Sequence, residues 1–138
     1  MIIDFIAPKT GDELGLFKIP MFRIPPHGLA VLAGAASNSG HDMRITDENF
    51  EEININSDAD IIAVSIMTPS AMRGYQIADK FKEKGKKVII GGVHATVLPE
   101  EAKSHAHSVV VGEADHIWPK ILDANIIAAH MESNEKIR

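Results

Sequence analysis

The chain contains no cysteine. Disulfides, a thiol nucleophile and any zinc or iron–sulfur centre held by cysteine are therefore excluded within its 138 residues. Aromatic residues are scarce at 5%, so a core must rest on Ile, Val, Leu, Ala and Met. No apolar run approaches the roughly 20 residues that a membrane-spanning helix needs; the nearest, Ile61 to Met67, is the size of a strand. The amino terminus, Met1-Ile2-Ile3-Asp4, has no basic region ahead of its apolar stretch. It reads as a first strand rather than a signal peptide, and the cytoplasm is the expected compartment. A concentrated basic face is also missing: the formal charge is -5, which argues against a nucleic-acid partner. The local basic group Lys80, Lys82, Lys84, Lys86 and Lys87 is broken by Glu83 and Gly85. It sits at a predicted helix end, where cations complement the helix dipole.

What is present suits one globular domain, with 45% hydrophobic and 24% charged residues. Four β-branched runs stand out, Met1–Ile6, Ile61–Ile66, Lys87–Ile90 and Ser108–Val111, with a weaker fifth at Asp42–Thr46. Runs without polar alternation, such as Ile61-Ile62-Ala63-Val64, suit strands covered on both faces. Helical spacing separates them. Gly28 to Ser39 places Leu29, Leu32, Ala33 and Ala36 on one stripe, with Gly40 behind it. Ser70 to Lys84 places Met72, Tyr75, Ala78 and Phe81 at steps of three. Leu98 to His107 opens with Pro99-Glu100-Glu101, a first turn of the kind the dipole favours. A last helix is expected from Asp115 towards Ala124, and a short one between the second and third strands. The implied fold is α/β, a three-layer Rossmann-like, flavodoxin-like domain with a five-stranded parallel sheet of order 2-1-3-4-5. The domain is expected over residues 1–124, with 125–138 a C-terminal helix or frayed linker. The segment Ala7 to Pro25 is long for a first strand-to-helix loop, and loops of that length tend to be functional.

In such a sheet, ligands bind beyond the carboxyl ends of the strands at the switch point. There the third strand is followed by Ser65-Ile66-Met67-Thr68-Pro69, the fourth by Gly91-Gly92-Val93-His94-Ala95-Thr96, and the fifth by Gly112-Glu113. A tight turn would explain Gly91-Gly92 taken alone. Small residues at three neighbouring strand mouths point instead to a pocket that ligand can enter. Familiar sites fail: Ala7-Pro8-Lys9-Thr10-Gly11 is no Gly-x-Gly-x-x-Gly fingerprint, no phosphate loop occurs, and Ser65 and Thr68 stand where a receiver domain needs aspartate. His105 and His107 lie two apart on a helix end and make a poor chelate, so no metal site is assigned. His94 lies at the pocket mouth, open between ligand contact and a turn-stabilising role. Glu113 and His94 could be drawn as an acid–base pair, but nothing supplies a nucleophile or an orienting third group. No catalytic residue is assigned.

From about Pro25 to Trp118 the residues resemble the N-terminal cobalamin-binding domain of radical S-adenosylmethionine enzymes. The resemblance runs through Pro25-Pro26-His27-Gly28-Leu29-Ala30, Gly40-His41-Asp42, Ser65 and Thr68, Gly91-Gly92-Val93-His94-Ala95-Thr96 with Pro99-Glu100-Glu101, and Val109-Val110-Val111-Gly112-Glu113. It implies a crevice that takes the nucleotide tail of cobalamin while the corrin ring lies across the strand ends. Ser65 matches the serine of the family's Ser-x-Leu element, with Met67 in place of leucine, and Gly91 and Gly92 match its paired glycines. Thr68, Val93, His94, Gly112 and Glu113 complete the implied cofactor contacts.

Two departures qualify the resemblance. Many cobalamin domains carry Asp-x-His-x-x-Gly after the first strand, and this chain has no histidine there until His27. The tail is therefore expected to insert without a protein histidine on cobalt. The radical chemistry also needs three cysteines holding a four-iron four-sulfur cluster in a following domain, where S-adenosylmethionine binds. The chain is accordingly expected to be a fragment that binds rather than turns over, partnered by that C-terminal radical domain and, as a further expectation, by a second copy. Two other readings stay open. One is a docking or dimerisation domain that keeps the fold without the cofactor; the other is a small enzyme using a nucleotide or flavin.

Overall fold

Strands whose side chains are apolar on both faces need cover on both faces, and the sheet is built that way. A computed structural model describes residues 1–11, 25–123 and the pair Lys136–Ile137. Strands β1 (Ile2–Ala7), β2 (Asp42–Asp47), β3 (Ile61–Ser65), β4 (Lys87–Gly91), β5 (Ser108–Val110) and β6 (Lys136–Ile137) form a parallel sheet in the order β2-β1-β3-β4-β5-β6. The expected order 2-1-3-4-5 holds, and two-residue β6 extends the sheet to six strands. The helix or linker expected over 125–138 otherwise lies outside the described residues.

Successive residues of β3 face opposite cores. Ile61 and Ala63 join Ile3, Phe5, Ile89, Val110, Trp118 and Ile121 on one side. Ile62 and Val64 join Ile6, Val88, Ile90, Val109, Tyr75 and Phe81 on the other. That period of two, apolar at every step, is why the run shows no polar alternation. Helices α1 (His27–Ala35) and α5 (Trp118–Ile121) cover the first face. The second is covered by α2 (Ala71–Glu83), α3 (Val93–Val97) and α4 (Pro99–Lys103).

Three helical expectations change. Steps of three drift by 60° each on a helix of 3.6 residues per turn, so Met72 lies opposite Phe81 and is 72% exposed. The buried face of α2 is Ala71, Gly74, Tyr75, Ile77, Ala78 and Phe81. The helix expected from Leu98 to His107 is shortened to α4, and an unexpected short helix, α3, precedes it. Leu98, at φ -123° and ψ 61°, leaves helical geometry because the residue before Pro99 is pushed out of it. No helix joins β2 to β3. There the chain turns on its own side chains: Asn49 N–H donates to Asp47 Oδ1, Asn56 N–H to Asn54 Oδ1 and Ala59 N–H to Ser57 Oγ. Such local bonds compete with a helix. The lysines behave as an ordinary helix end. Lys80 and Lys82 close α2, while Lys82, Lys84 and Lys86 donate to Ser104 O, Asn56 Oδ1 and Ala59 O.

Candidate functional site: a cleft at the strand mouths

The carboxyl end of β3 is sewn to that of β4. Ser65 pairs with Gly91 across the two strands. Just beyond, Ile66 N–H donates to Gly91 O (2.9 Å) and Ile66 O accepts from His94 N–H (3.2 Å). Gly92, at φ 101° and ψ 179°, lies so close to this junction that a Cβ would stand 2.5 Å from Ile66 O and 2.9 Å from Ile66 N. Its glycine is demanded by the chain's own backbone, which corrects the expectation that Gly92 serves to clear the pocket. A Cβ at Gly91 would meet Val110 at an ordinary 3.6 Å, and at Gly28 or Gly112 it would meet nothing within 4 Å. Those three positions border open space.

That space is a slot of about 370 Å³ between the sheet, α1 and α5. Phe5, Leu29, Leu32, Ala63, Ile89, Val110 and Trp118 form its apolar walls, and Ser65, Gly91, Gly92, Gly112 and Glu113 lie at its mouth. An outer hollow of about 720 Å³ shares Gly28, Leu29, Ser65, Gly92, Gly112 and Glu113 with the slot. It reaches Thr10, His27, Asp47, Phe50, Met67 and Val93. Met67 borders the hollow, not the slot, and is 55% exposed, so the slot is not plugged by it. Most of the long first loop, residues 12–24, lies outside the described residues.

Six of the eight expected contacts are thus brought together: Ser65, Gly91, Gly92, Val93, Gly112 and Glu113. Thr68 and His94 are not among the lining residues. The His94 ring is buried in the helical layer, with Nδ1 3.2 Å from Thr68 Oγ1 and Nε2 3.1 Å from Glu101 Oε1. The Tyr75 hydroxyl donates to the same Glu101 oxygen (2.9 Å). Hydrogen bonds from His94 and then Tyr75 hold the Glu101 carboxyl below the usual range, while burial and Glu101 push the Tyr75 hydroxyl up. This network engages both ring nitrogens of His94 behind the β4 mouth, while Glu113 lines the cleft, so the two do not form an acid–base pair there. His105 and His107 also diverge. His105 stacks on Tyr75 at 4.2 Å and pairs with Asp79 (2.9 Å), whereas His107 Nδ1 accepts from Val88 N–H. Among the described residues no cluster of three His, Asp or Glu is placed to hold a metal ion, and no helix is long and apolar enough to cross a membrane.

Sequence reasoning missed several parts of the cleft. Thr96 Oγ1 donates to Gly92 O (2.9 Å) and accepts from Gly112 N–H (3.0 Å), tying the β4 and β5 mouths together. Glu48 accepts from Lys9 N–H (3.0 Å) and from the Arg73 guanidinium, pinning the start of the first loop to α2. Although burial opposes it, the Arg73 bond holds the Glu48 carboxyl below its ordinary value. Trp118, in α5, closes the apolar wall, and no spacing rule singled it out.

A family model described as B12 binding domain matches residues 20–122, more than half of the chain. Two curated proteins of Chlorobaculum tepidum are similar over shorter stretches. A bacteriochlorophyllide d C-8(2)-methyltransferase is 44% identical over 84 residues, 60% of this chain and 19% of that protein. A bacteriochlorophyllide d C-12(1)-methyltransferase is 42% identical over 62 residues, 45% of this chain and 14% of that protein. The matched segments thus span less than a fifth of either relative's length. A short-chain flavodoxin associated with a non-canonical PDU bacterial microcompartment superposes with a TM-score of 0.41 at 9% identity, over 97% of this chain and 73% of its own. The fold assignment rests on the sheet topology, not on that superposition. The chain belongs to the B12-binding domain family.

Proposed function

We propose that this B12-binding domain holds cobalamin with the nucleotide tail in the 370 Å³ slot and the corrin ring over the 720 Å³ hollow. The observation that carries the reading is an apolar slot at the switch point, bordered by Gly28, Gly91 and Gly112, where added side chains would enter the space rather than strike backbone. Gly91, Gly112 and Ser65 would admit the tail, Val93 and Glu113 would border the ring, and Thr68 and His94 would act indirectly by bracing the β4 mouth. Cobalamin supplies, when bound, a site that carries a methyl group or an electron.

The tail is held without a protein histidine on cobalt. His94 is engaged by Thr68 and Glu101, and among the described histidines only His27 borders the hollow. The larger protein is a radical S-adenosylmethionine enzyme of methyltransferase or cyclase type. Its following domain, the partner of this one, holds the four-iron four-sulfur cluster and S-adenosylmethionine. The methyltransferase names of the two relatives support this reading.

Equilibrium dialysis against hydroxocobalamin with visible spectroscopy tests it. The chain takes up corrinoid, Gly28→Trp and Gly91→Leu lower affinity at least about tenfold, ~1.4 kcal/mol, and His27→Ala leaves the cobalt spectrum unchanged. Absence of uptake by the unaltered chain would favour the docking-domain reading.

A further inference from the structure

Among the residues that line both the slot and the hollow, Glu113 is the one that carries a charge. It stands at the neck where the two cavities join. Its backbone is set from both sides. Gly112, at φ 86°, donates its N–H to Thr96 Oγ1 (3.0 Å), and Ala114 O accepts from Trp118 N–H (2.7 Å) at the start of α5. Its side chain is left for the cleft. Of the other acids in the lining, Asp47 accepts from the backbone and side chain of Asn49, and Asp115 Oδ1 faces His116 Nδ1 at 2.9 Å. The Glu113 carboxylate is exposed, and no described residue bonds to it. Among the described residues neither cavity is lined by Lys or Arg. A carboxylate only accepts. A neutral O–H or N–H donor brought to the neck therefore gains a charge-assisted hydrogen bond, whereas an anion meets a like charge with no cation to offset it.

We infer that Glu113 is a specificity-determining residue of the neck, its carboxylate accepting from a neutral donor of the cofactor and rejecting corrinoids that carry an anion there. The inference rests on the proposed tail insertion, which threads the strap between ring and base through the neck, and adds selection by charge to it. Two groups of the cofactor have this chemistry: the primary hydroxyl of the ribose and the propionamides at the edge of the ring. The phosphodiester of the strap, an anion with no lysine or arginine to receive it among the described lining residues, is turned to solvent.

The test compares hydroxocobalamin with two kinds of acid derivative at neutral pH, by dialysis and absorbance. In one the primary ribose hydroxyl is oxidised to a carboxylate; in the other a single propionamide is hydrolysed to a carboxylate, each isomer being measured separately. Affinities are taken on the parent chain, Glu113→Gln and Glu113→Lys. The steric and solvation changes of a derivative cancel when its loss of affinity is compared between proteins. For at least one derivative that loss is expected to be at least about threefold larger on the parent than on Glu113→Gln, the size of an exposed charge contact. Glu113→Lys is expected to reverse the preference and bind that acid more tightly than hydroxocobalamin. Whichever derivative responds identifies the donor as ribose hydroxyl or ring amide. Losses that agree within about threefold across all three proteins, for every derivative, overturn the inference while the tail-insertion reading stands. Absence of hydroxocobalamin uptake by the parent chain overturns both.

Discussion

Adding one methyl group at Gly92 places it 2.5 Å from Ile66 O, 2.9 Å from Ile66 N and 3.1 Å from Ser65 Oγ. The two closest are backbone atoms, not the free end of a flexible side chain. Ile66 is held at both polar atoms, donating to Gly91 and accepting from His94. Relief of the clash therefore has to part β3 from the β4 mouth. The backbone itself, at φ 101° and ψ 179°, lies in a region kept essentially for glycine, at a cost of about 1–3 kcal/mol for other residues. Overpacking against fixed backbone adds about 1–3 kcal/mol. Gly92→Ala is thus expected to destabilise the chain by about 2–6 kcal/mol, a large share of the roughly 5–15 kcal/mol that holds a domain folded. Gly91→Ala, without a positive φ and with 3.6 Å to Val110, is expected to stay within about 1 kcal/mol of the parent. Urea unfolding followed by far-ultraviolet circular dichroism measures both. Equal effects at the two glycines, or a Gly92→Ala loss under about 1 kcal/mol, would refute this account of the strand junction.

Two further predictions concern the frame of the cleft. Thr96→Val removes the hydroxyl that joins Gly92 O to Gly112 N–H and is expected to cost about 1–2 kcal/mol in urea unfolding; no measurable loss would mean that the β4 and β5 mouths are held by other contacts. Burial, with Lys82 and Lys87 nearby, lowers the pKa of His107, whose neutral Nδ1 accepts from Val88 N–H. Because the folded value lies below the unfolded ~6.5, the stabilisation is complete above about pH 6.5 and is lost as pH falls through the folded value. Thermal midpoints should therefore drop more steeply below pH 6.5 for the parent than for His107→Asn, and parallel curves would count against it.

The sheet was legible because its signal is carried by every strand residue: apolar side chains at consecutive positions of β3 and β4 need two covered faces, and only a sandwiched parallel sheet supplies them. Helix boundaries were less legible because they turn on single residues. Pro99 separates the unexpected α3 from α4, and Asp47, Asn54 and Ser57 spend on turns the bonds that a helix after β2 would have required. For the cleft, residue size was a sound guide to location and a poor one to cause. Gly91 and Gly92 read alike as small and both border the slot, yet only Gly92 is pressed against the Ile66 backbone. That difference depends on what lies across the sheet, some 26 residues away in the chain, beyond the reach of any local pattern.

Polarity misled in the same way. His94 and Thr68 sit at strand mouths, where polar residues suggest ligand contact, but each satisfies the other and their bonds face the helices. Trp118 is a large side chain of the slot wall whose single polar atom is buried without a partner. A polar group that the fold already satisfies has little left to offer a ligand. By that criterion His94 and Thr68, which satisfy each other and Glu101 behind the β4 mouth, have little left to offer a ligand in this cleft.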